Sequence, residues 1–379
     1  MISAFPVVHD PSPLLVRTRL VGFALLAIQL TGCGAYGPGM IRNMRPEYNL
    51  ALAQTGDQEL LLNIVRMKYR DPVYFLNVER VAVSMEVLRG ASAGAGVTVP
   101  LSGPTPNVAS GTLGPFAFSY NEKPTFFYAP LEGERFARQM MTPVSLDTIL
   151  LLSHSGWSVE RVFLMTVEQV NGVRNAPTAS GPTPSSAPEF NEFMTGVKAL
   201  RSLQERGKMR LARVQEGTTV ALELKIAKDA LQDSDTNLFR DTFGLARDKD
   251  AYRILAGVGT GDTGTLAMTT RSLSATMSYL AQSVVPPPKD MEQGRLTRTL
   301  TKNGQPFDWH EMLGDLMTIH SGSSAPENAS VVVHYRGSWF WIDDSDLISK
   351  STFSLMNQLF AVQAGQIAGP GPAFTFSTR

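Results

Sequence analysis

The apolar residues of this chain change their spacing repeatedly along the sequence. Over 190–203 they recur every three to four residues, as on an amphipathic helix. A two-residue alternation typical of a half-buried strand follows at Val220, Leu222, Leu224 and Ile226. Such segments interleave without the regular strand–helix–strand order of a parallel sheet. The pattern therefore predicts the α+β class, as two small mixed domains with antiparallel hairpins and packed helices.

An uncharged segment over 175–188 is dense in proline, serine, threonine and alanine, a composition typical of a linker. A chain of 379 residues is long enough for two domains. We therefore predict an N-terminal α+β domain over 47–174, a C-terminal α+β domain over 189–363 and a flexible tail over 364–379.

In the first half, the spacing predicts a helix, a strand and an aromatic hairpin. The helix begins at a capping-box pattern over 55–58 and ends before Asp71. The strand covers 81–87. Alternating aromatic residues on both sides of a turn over 121–124 predict the hairpin.

The second half alternates helical and hairpin patterns. Just before it, 159–170 fits a helix and a strand equally well. The predicted elements are a helix over 190–203 ended by Gly207, a hairpin over 209–226, a helix over 273–284 ended by prolines 286–288, a helix over 309–316 capped by Asp308 and Glu311, a hairpin over 331–342 around Gly337, and a final helix over 348–362.

The segment before Cys33 has the order of a secretion signal. Arg17 and Arg19 form a positive flank, and the apolar run over 20–30 is too short to span a membrane. The following Leu30-Thr31-Gly32-Cys33 resembles the lipobox of bacterial lipoproteins, in which the thiol is alkylated with diacylglycerol and the preceding peptide is removed. This resemblance implies a signal peptide over 1–32, a lipidated Cys33 and a tether over 33–46. The alternative is a buried internal helix followed by an ordinary core thiol.

A diacylglyceryl cysteine carries the two acyl chains that stable membrane anchoring requires. Gly34 follows the cysteine where retention in the inner membrane usually involves an aspartate, so the resemblance implies the outer membrane, on its periplasmic side. The inner membrane and the cell surface are the alternatives. Because Cys33 is the only cysteine, its lipidation would leave no thiol for disulfides, thiolate zinc sites or nucleophilic catalysis.

The charge balance argues against a nucleic acid as the partner of this chain. The whole chain has 34 basic and 34 acidic residues, and removal of 1–32 takes away two arginines and one aspartate, which leaves a net charge near −1. A nucleic-acid-binding surface would require a basic excess. The hydrophobic fraction of 43% is ample for a packed core.

Three further segments, 60–76, 270–273 and 339–346, are similar to segments of predicted proteobacterial lipoproteins without an assigned activity. This resemblance implies family membership over most of the mature chain. It supplies no catalytic residue, cofactor site or metal ligand.

A glycine-rich segment over 259–264 matches the letters G-x-G-x-x-G. A dinucleotide site requires that such a loop opens a helix, whereas the following Thr265–Thr270 has a strand pattern. We therefore expect a glycine-rich hairpin turn and no dinucleotide cofactor.

The polar candidates give no recognisable reaction centre. Asp343, Asp344 and Asp346 could gather around a hard cation, but residues before a helix are expected to cap it. The mature histidines lack metal-ligand spacing and are expected at helix ends or on the surface; they are His154, His310, His320 and His334.

A serine hydrolase would need a serine, a histidine and an orienting acid. Ser321, Ser323 and Ser324 lie beside His320, but the sequence offers no orienting residue. Another candidate is the aromatic run 339–341, which could form a binding surface, although alternation on a hairpin places at least one of its faces in the core.

These observations favour a non-enzymatic, lipid-anchored envelope protein that faces the periplasm. Its expected partners are the membrane, through the lipid on Cys33, and another envelope protein in an assembly or transport machine. The alternative is a lipid-anchored hydrolase that acts on a cell-wall or polymer substrate. It would require a pocket in which acidic residues or His320 converge with a serine.

Overall fold

A computed structural model describes residues 36–91, 108–113, 116–216, 219–259 and 261–364. The chain divides into two units, Met1–Asp57 and Gln58–Arg379. The predicted signal peptide and Cys33 lie outside the described residues, as does the tail beyond Ala364.

The helices are α1 (Tyr36–Lys68), α2 (Gly133–Met141), α3 (Leu146–His154), α4 (Val159–Thr166), α5 (Asn191–Glu205), α6 (Ser234–Phe243), α7 (Leu273–Ala281), α8 (Pro288–Glu292), α9 (His310–Leu313) and α10 (Leu347–Ala364). The strands are β1 (Leu76–Ala91), β2 (Val108–Leu113), β3 (Phe116–Pro130), β4 (Val167–Val170), β5 (Val173–Arg174), β6 (Met209–Glu216), β7 (Thr219–Ile226), β8 (Ala251–Ala256), β9 (Thr265–Thr270), β10 (His320–Gly322), β11 (Ala329–Tyr335) and β12 (Ser338–Asp343). The predicted α+β class is confirmed. Among the described helices, none combines the length and apolar character needed to cross a membrane.

The described part of the N-terminal unit is helical. The predicted tether over 33–46 is helical from Tyr36 onward, because α1 begins there and includes Pro46. A proline removes one backbone donor from a helix, and the exposed position of Pro46 leaves the freed carbonyl accessible to water.

The predicted helix start over 55–58 is also wrong, because α1 passes through it without interruption. The Thr55 hydroxyl donates to the carbonyl oxygens of Ala51 and Leu52, at 2.9 and 3.1 Å. Its side chain therefore bonds back to the preceding helical turn and does not cap a new helix. The predicted end before Asp71 is confirmed, since α1 stops at Lys68.

The large unit contains a six-stranded sheet in the order β5-β4-β9-β8-β7-β6. Neighbouring strands are antiparallel except β8 and β9, which run parallel with Ile254 opposite Leu266. The predicted hairpin over 209–226 is confirmed as β6 and β7. The ambiguous segment 159–170 is a helix in its first part, α4, and a strand in its second, β4.

The parallel pair corrects the prediction for 259–264. Thr265–Thr270 is a strand, as expected, but the segment before it is not a hairpin turn because β8 and β9 point the same way. The Asp262 carboxylate accepts hydrogen bonds from the Gly264 N–H at 2.9 Å and the Thr265 hydroxyl at 2.6 Å. This turn redirects the chain into β9 beside the start of β8.

The sheet also corrects the predicted domain boundary over 175–188. Strand β4, which precedes this segment, pairs with β9, which follows it, so the two predicted domains share one sheet. Asn175 is buried, and its amide donates to the carbonyl oxygens of Leu164 and Val167 at 3.0 and 2.7 Å. The segment is an ordered loop in which these bonds and bonds of its own backbone, such as Ala187 N–H to the Leu300 carbonyl oxygen at 2.9 Å, hold the chain in place.

A three-stranded antiparallel sheet in the order β1-β3-β2 replaces the predicted aromatic hairpin. The predicted turn over 121–124 lies within β3, which pairs with β1 along its whole length. Strand β2 covers β3 only up to Asn121. Pro124 lies beyond that point, where β1 is the one neighbour of β3 among the described strands and a proline removes no ladder bond to a second strand.

A second three-stranded antiparallel sheet has the order β10-β12-β11. The predicted hairpin around Gly337 is confirmed. Arg336 and Gly337 both have positive φ, 49° and 76°, as a type I′ turn requires. Phe340 and Ile342 of β12 point into the core, so one face of the aromatic run is buried, as predicted.

Candidate functional site

A pocket with a volume of about 380 Å³ lies in the large unit, at the C-terminal end of α1. Its size falls in the range of small-molecule sites. Most of its wall comes from three segments: 282–286 after α7, 297–299, and 306–310 before α9. Lys68 of α1 completes the polar part of the wall.

Lys68 is the charged residue of the pocket floor. Its side chain is only 5% exposed. The Nζ atom donates a hydrogen bond to Gln282 Oε1 at 3.0 Å and lies 5.5 Å from the centre of the Trp309 ring. Lys68 lies in the last turn of α1, where the negative end of the helix dipole stabilises its positive charge.

The amine of Lys68 is held by neutral groups. Within the described residues, no carboxylate lies close enough to form an ion pair with it. Burial lowers the pKa of Lys68 from its ordinary value of 10.5 to about 8, because the charged form loses its hydration. The ammonium form still predominates at neutral pH, with a minor fraction of free amine.

Gln282 is oriented by a second contact. Its Nε2 atom donates to the Ser278 carbonyl oxygen at 3.1 Å, and this bond leaves Oε1 directed at Lys68. Ser283, the next residue, donates its hydroxyl hydrogen to the Leu280 carbonyl oxygen at 2.7 Å. The residues after α7 thus direct Gln282 Oε1 toward Lys68, and they use the Ser283 hydroxyl hydrogen in a bond to the backbone.

The end of α1 is fixed by two polar clusters. Tyr69 donates its hydroxyl hydrogen to Asp290 Oδ2 at 2.6 Å, and the fully buried Asp290 also pairs with Arg295 at 2.8 Å. Burial and the neighbouring Asp290 carboxylate raise the pKa of Tyr69 above its usual range. The second cluster joins Asp71 to Arg336, at 2.8 Å. The contacts of Tyr69 and Asp71 therefore fix the backbone directly after Lys68.

The rest of the pocket is largely apolar. Phe307 and Trp309 pack edge to face, with ring centres 5.1 Å apart, and the buried Leu313 and Met317 also line it. The rim includes Val285, which is 50% exposed. An apolar cavity with one buried ammonium at its floor can accept the anionic end of an apolar molecule.

The predicted aspartates serve as caps of α10 and of the turn before it. Asp346 accepts from the Ser349 N–H at 3.0 Å, and Asp343 accepts from the Ser345 N–H at 2.9 Å. Asp344 forms an ion pair with Lys350 at 2.6 Å. The expectation of capping is confirmed for Asp346, which directly precedes α10. In the part of the chain that the structure describes, no group of three or more potential metal ligands is found.

The predicted histidines occupy separate places. His154 lies at the end of α3, where Nε2 is 2.8 Å from the Leu211 carbonyl oxygen, and His310 begins α9. His320 stacks on Trp341 at 5.7 Å, and His334 lies 4.9 Å from Trp339.

The serines near His320 form no catalytic arrangement among the described residues. No hydrogen bond there joins His320 to Ser321, Ser323 or Ser324. His320 belongs to β10, whose neighbour β12 buries Phe340 in the core. The structure therefore does not bring these predicted candidates together as a site.

Lys68 was not among the predicted site residues. A signal for it exists in the sequence: Leu61, Ile64 and Lys68 share one face of the helix, so a lysine takes a position where the spacing calls for an apolar residue. The partners Gln282 and Trp309 are distant in sequence and carry no such signal.

No protein-family model, curated protein or solved structure matches this chain.

Proposed function

We propose that this chain is a lipid-anchored envelope protein whose folded part works by binding, as an interaction or assembly component on the periplasmic side of the outer membrane. The observation that carries the binding role is the Lys68 pocket. It combines an apolar wall, an accessible rim and one buried ammonium that lacks a carboxylate partner among the described residues.

The anchoring half of the proposal rests on the lipobox. Leu30-Thr31-Gly32 precedes Cys33 after a short apolar run, and a diacylglyceryl group on Cys33 would hold the chain at a bilayer surface. A protein held there meets other envelope components at high effective concentration, which favours binding even at modest affinity.

The test is crosslinking in living cells, followed by purification of the chain and identification of what it captured. The proposal predicts one reproducible envelope partner. Recovery of bulk lipid alone, or of a different set of proteins in each repeat, would refute the interaction role. A Cys33→Ser variant is the matched control, because it should lose the partner together with the anchor.

The second candidate function is a lipid-anchored hydrolase, and one observation favours it. Ser283, Asp308 and His310 line the same pocket as Lys68. Against it, the Ser283 hydroxyl donates to Leu280, and Asp308 Oδ1 accepts from the His310 backbone N–H at 2.9 Å. No hydrogen bond in the described chain joins Ser283 to His310.

A fluorophosphonate probe, which labels activated serines covalently, distinguishes this candidate. The binding proposal predicts no labelling of Ser283 above that of a Ser283→Ala variant. Labelling that disappears in Ser283→Ala and in Lys68→Met would favour the hydrolase.

A further inference from the structure

We infer that the Lys68 pocket binds a small carboxylate-bearing molecule with an apolar body, whose carboxylate pairs with the Lys68 ammonium. The inference rests on the proposed binding role and names its ligand class. It is independent of the lipid anchor, so its test can fail while the envelope location stands.

The Lys68 amine has unused hydrogen-bonding capacity. A lysine ammonium has three hydrogen-bond donors. One is used by Gln282 Oε1, at 3.0 Å. The Trp309 ring, 5.5 Å away, favours the positive charge without accepting a conventional hydrogen bond. The remaining donors lie at the floor of the pocket and can serve an anion.

Burial of the Lys68 ammonium is costly. An ammonium that is buried beside neutral groups loses hydration that these groups replace only in part. A ligand carboxylate at the floor would supply the missing counter-charge in a water-poor setting, where charge-assisted hydrogen bonds are strong. The same argument disfavours a cationic ligand, which would place like charges together.

The composition of the pocket wall defines the body of the ligand. Phe307, Leu313 and Met317 present an apolar surface above Lys68, so the body of the ligand must be apolar as well. A phosphate or another multiply charged anion would need several donors, whereas the floor offers one ammonium. A singly charged carboxylate matches that donor set.

The charges at the rim are consistent with an anion. Arg298 is exposed there and carries a positive charge. Asp308 is the acidic residue of the wall, and its Oδ1 atom is already bonded to the His310 backbone. An anion passing the rim therefore meets at least as much positive as negative charge.

The test measures the binding of three linear probes with eight carbons each: octanoate, 1-octanol and octylamine. Isothermal titration calorimetry is performed at pH 7 on the full lipidated chain in phosphatidylcholine nanodiscs, and empty nanodiscs provide the correction for partitioning. We expect octanoate to bind about 10- to 100-fold more tightly than octanol, the range for a hydrogen bond to a charged group. Octylamine should bind more weakly than octanol.

Three variants locate the effect. Lys68→Met keeps the length and apolar stem of the side chain, and it should bring the affinity for octanoate down to that for octanol. Val285→Trp, which fills the rim and leaves Lys68 in place, should weaken both probes. The exposed Lys198, paired with Asp315 at 3.1 Å, provides the control, since Lys198→Met should change neither affinity.

Several results would overturn the inference. Equal affinities for octanoate and octanol would show an apolar cavity without charge recognition. Retention of octanoate binding in Lys68→Met, or preference for octylamine, would contradict the assigned role of the ammonium. Should Lys68→Met fail to fold, the octanoate-to-octanol ratio of the unaltered chain and the loss of both in Val285→Trp still decide the question.

Discussion

Lys68 lies on the buried face of α1, one turn after Ile64 and two turns after Leu61. An apolar residue there would contribute to the core, whereas the ammonium loses hydration for one hydrogen bond to an amide oxygen. A position that lowers stability in this way is typical of a residue retained for binding.

Replacement of Lys68 by methionine should therefore stabilise the chain at neutral pH. The pKa of Lys68 falls from 10.5 in the unfolded state to about 8 in the folded state. At about 1.4 kcal/mol for each pKa unit, burial of the charge costs up to about 3.5 kcal/mol, and loss of the hydrogen bond to Gln282 offsets about 1 kcal/mol of the gain on substitution. We expect Lys68→Met to raise the free energy of unfolding by about 1–3 kcal/mol at pH 7, measured by urea denaturation.

The same pKa difference fixes the pH dependence. Between about pH 8 and pH 10.5 the unfolded chain binds more protons at Lys68 than the folded chain, so the stability of the unaltered protein should rise with pH relative to Lys68→Met. The difference in the free energy of unfolding between Lys68→Met and the unaltered protein has its full size below pH 8 and disappears above pH 10.5. A difference between the two proteins that stays constant across this pH window would contradict the assigned cause.

At the scale of elements, local spacing predicted most helices and strands but not their continuity. The alternation over 116–130 fits two short strands or one long strand, and only the partner strand decides between them. The segment 159–170 contained both signals because α4 passes directly into β4. Pairing partners far along the chain carry this information, and short-range spacing does not.

The joint between α4, β4 and the loop after β5 depends on Arg271, which is buried. Its guanidinium donates to the carbonyl oxygens of Leu164 at 3.0 Å and Val167 at 2.8 Å, and to Ser180 Oγ at 3.0 Å. It also lies 4.1 Å from the centre of the Tyr279 ring. A lysine cannot reproduce this forked geometry.

Arg271→Lys should therefore lower the free energy of unfolding by about 3 kcal/mol or more, because several buried carbonyl groups lose their donors. Chemical denaturation measures the change. Arg213, which forms an exposed pair with Asp147 at 2.7 Å, provides the matched control. Arg213→Lys should change the free energy of unfolding by less than about 0.5 kcal/mol. Equal effects at both sites would contradict the proposed role of Arg271 in holding α4, β4 and the loop together.

The contact between α5 and α6 depends on a glycine. A Cβ atom added at Gly196 would lie 2.5 Å from Phe243 Cε2 and 2.7 Å from Thr242 Cγ2. Gly196→Ala should destabilise the chain by about 1–3 kcal/mol through overpacking, although alanine favours helices. Gly56 in α1 has nothing within 4 Å of such an atom. Gly56→Ala should not lower the denaturation midpoint, and a matching loss there would argue against overpacking at Gly196.

For the whole molecule, the sequence predicts the α+β class but not how the large unit divides. The uncharged segment over 175–188 has the composition of a flexible linker, yet Asn175 and Arg271 satisfy buried backbone groups around it. Strands from both sides then share one sheet. The composition of a segment indicates its conformation in isolation. Here the conformation of 175–188 depends on partners that are distant in sequence, so composition alone placed the boundary wrongly.

The pocket has the same dependence on distant parts of the chain. Lys68 could be recognised from its place on an apolar helix face, whereas Gln282 and Trp309 join it only through the folded arrangement. The proposed location of the protein rests on Cys33 and on the sequence that precedes it. Location and binding role are thus supported by separate observations.

The most direct test of the account is intact mass spectrometry of the chain purified from bacterial membranes. We predict loss of residues 1–32, a mature N-terminus at Cys33, and an added mass that corresponds to a diacylglyceryl group. The Cys33→Ser chain should keep its leader and should lack the lipid. An unprocessed N-terminus without lipid in the unaltered chain, or the same membrane fractionation for both chains, would contradict lipid anchoring.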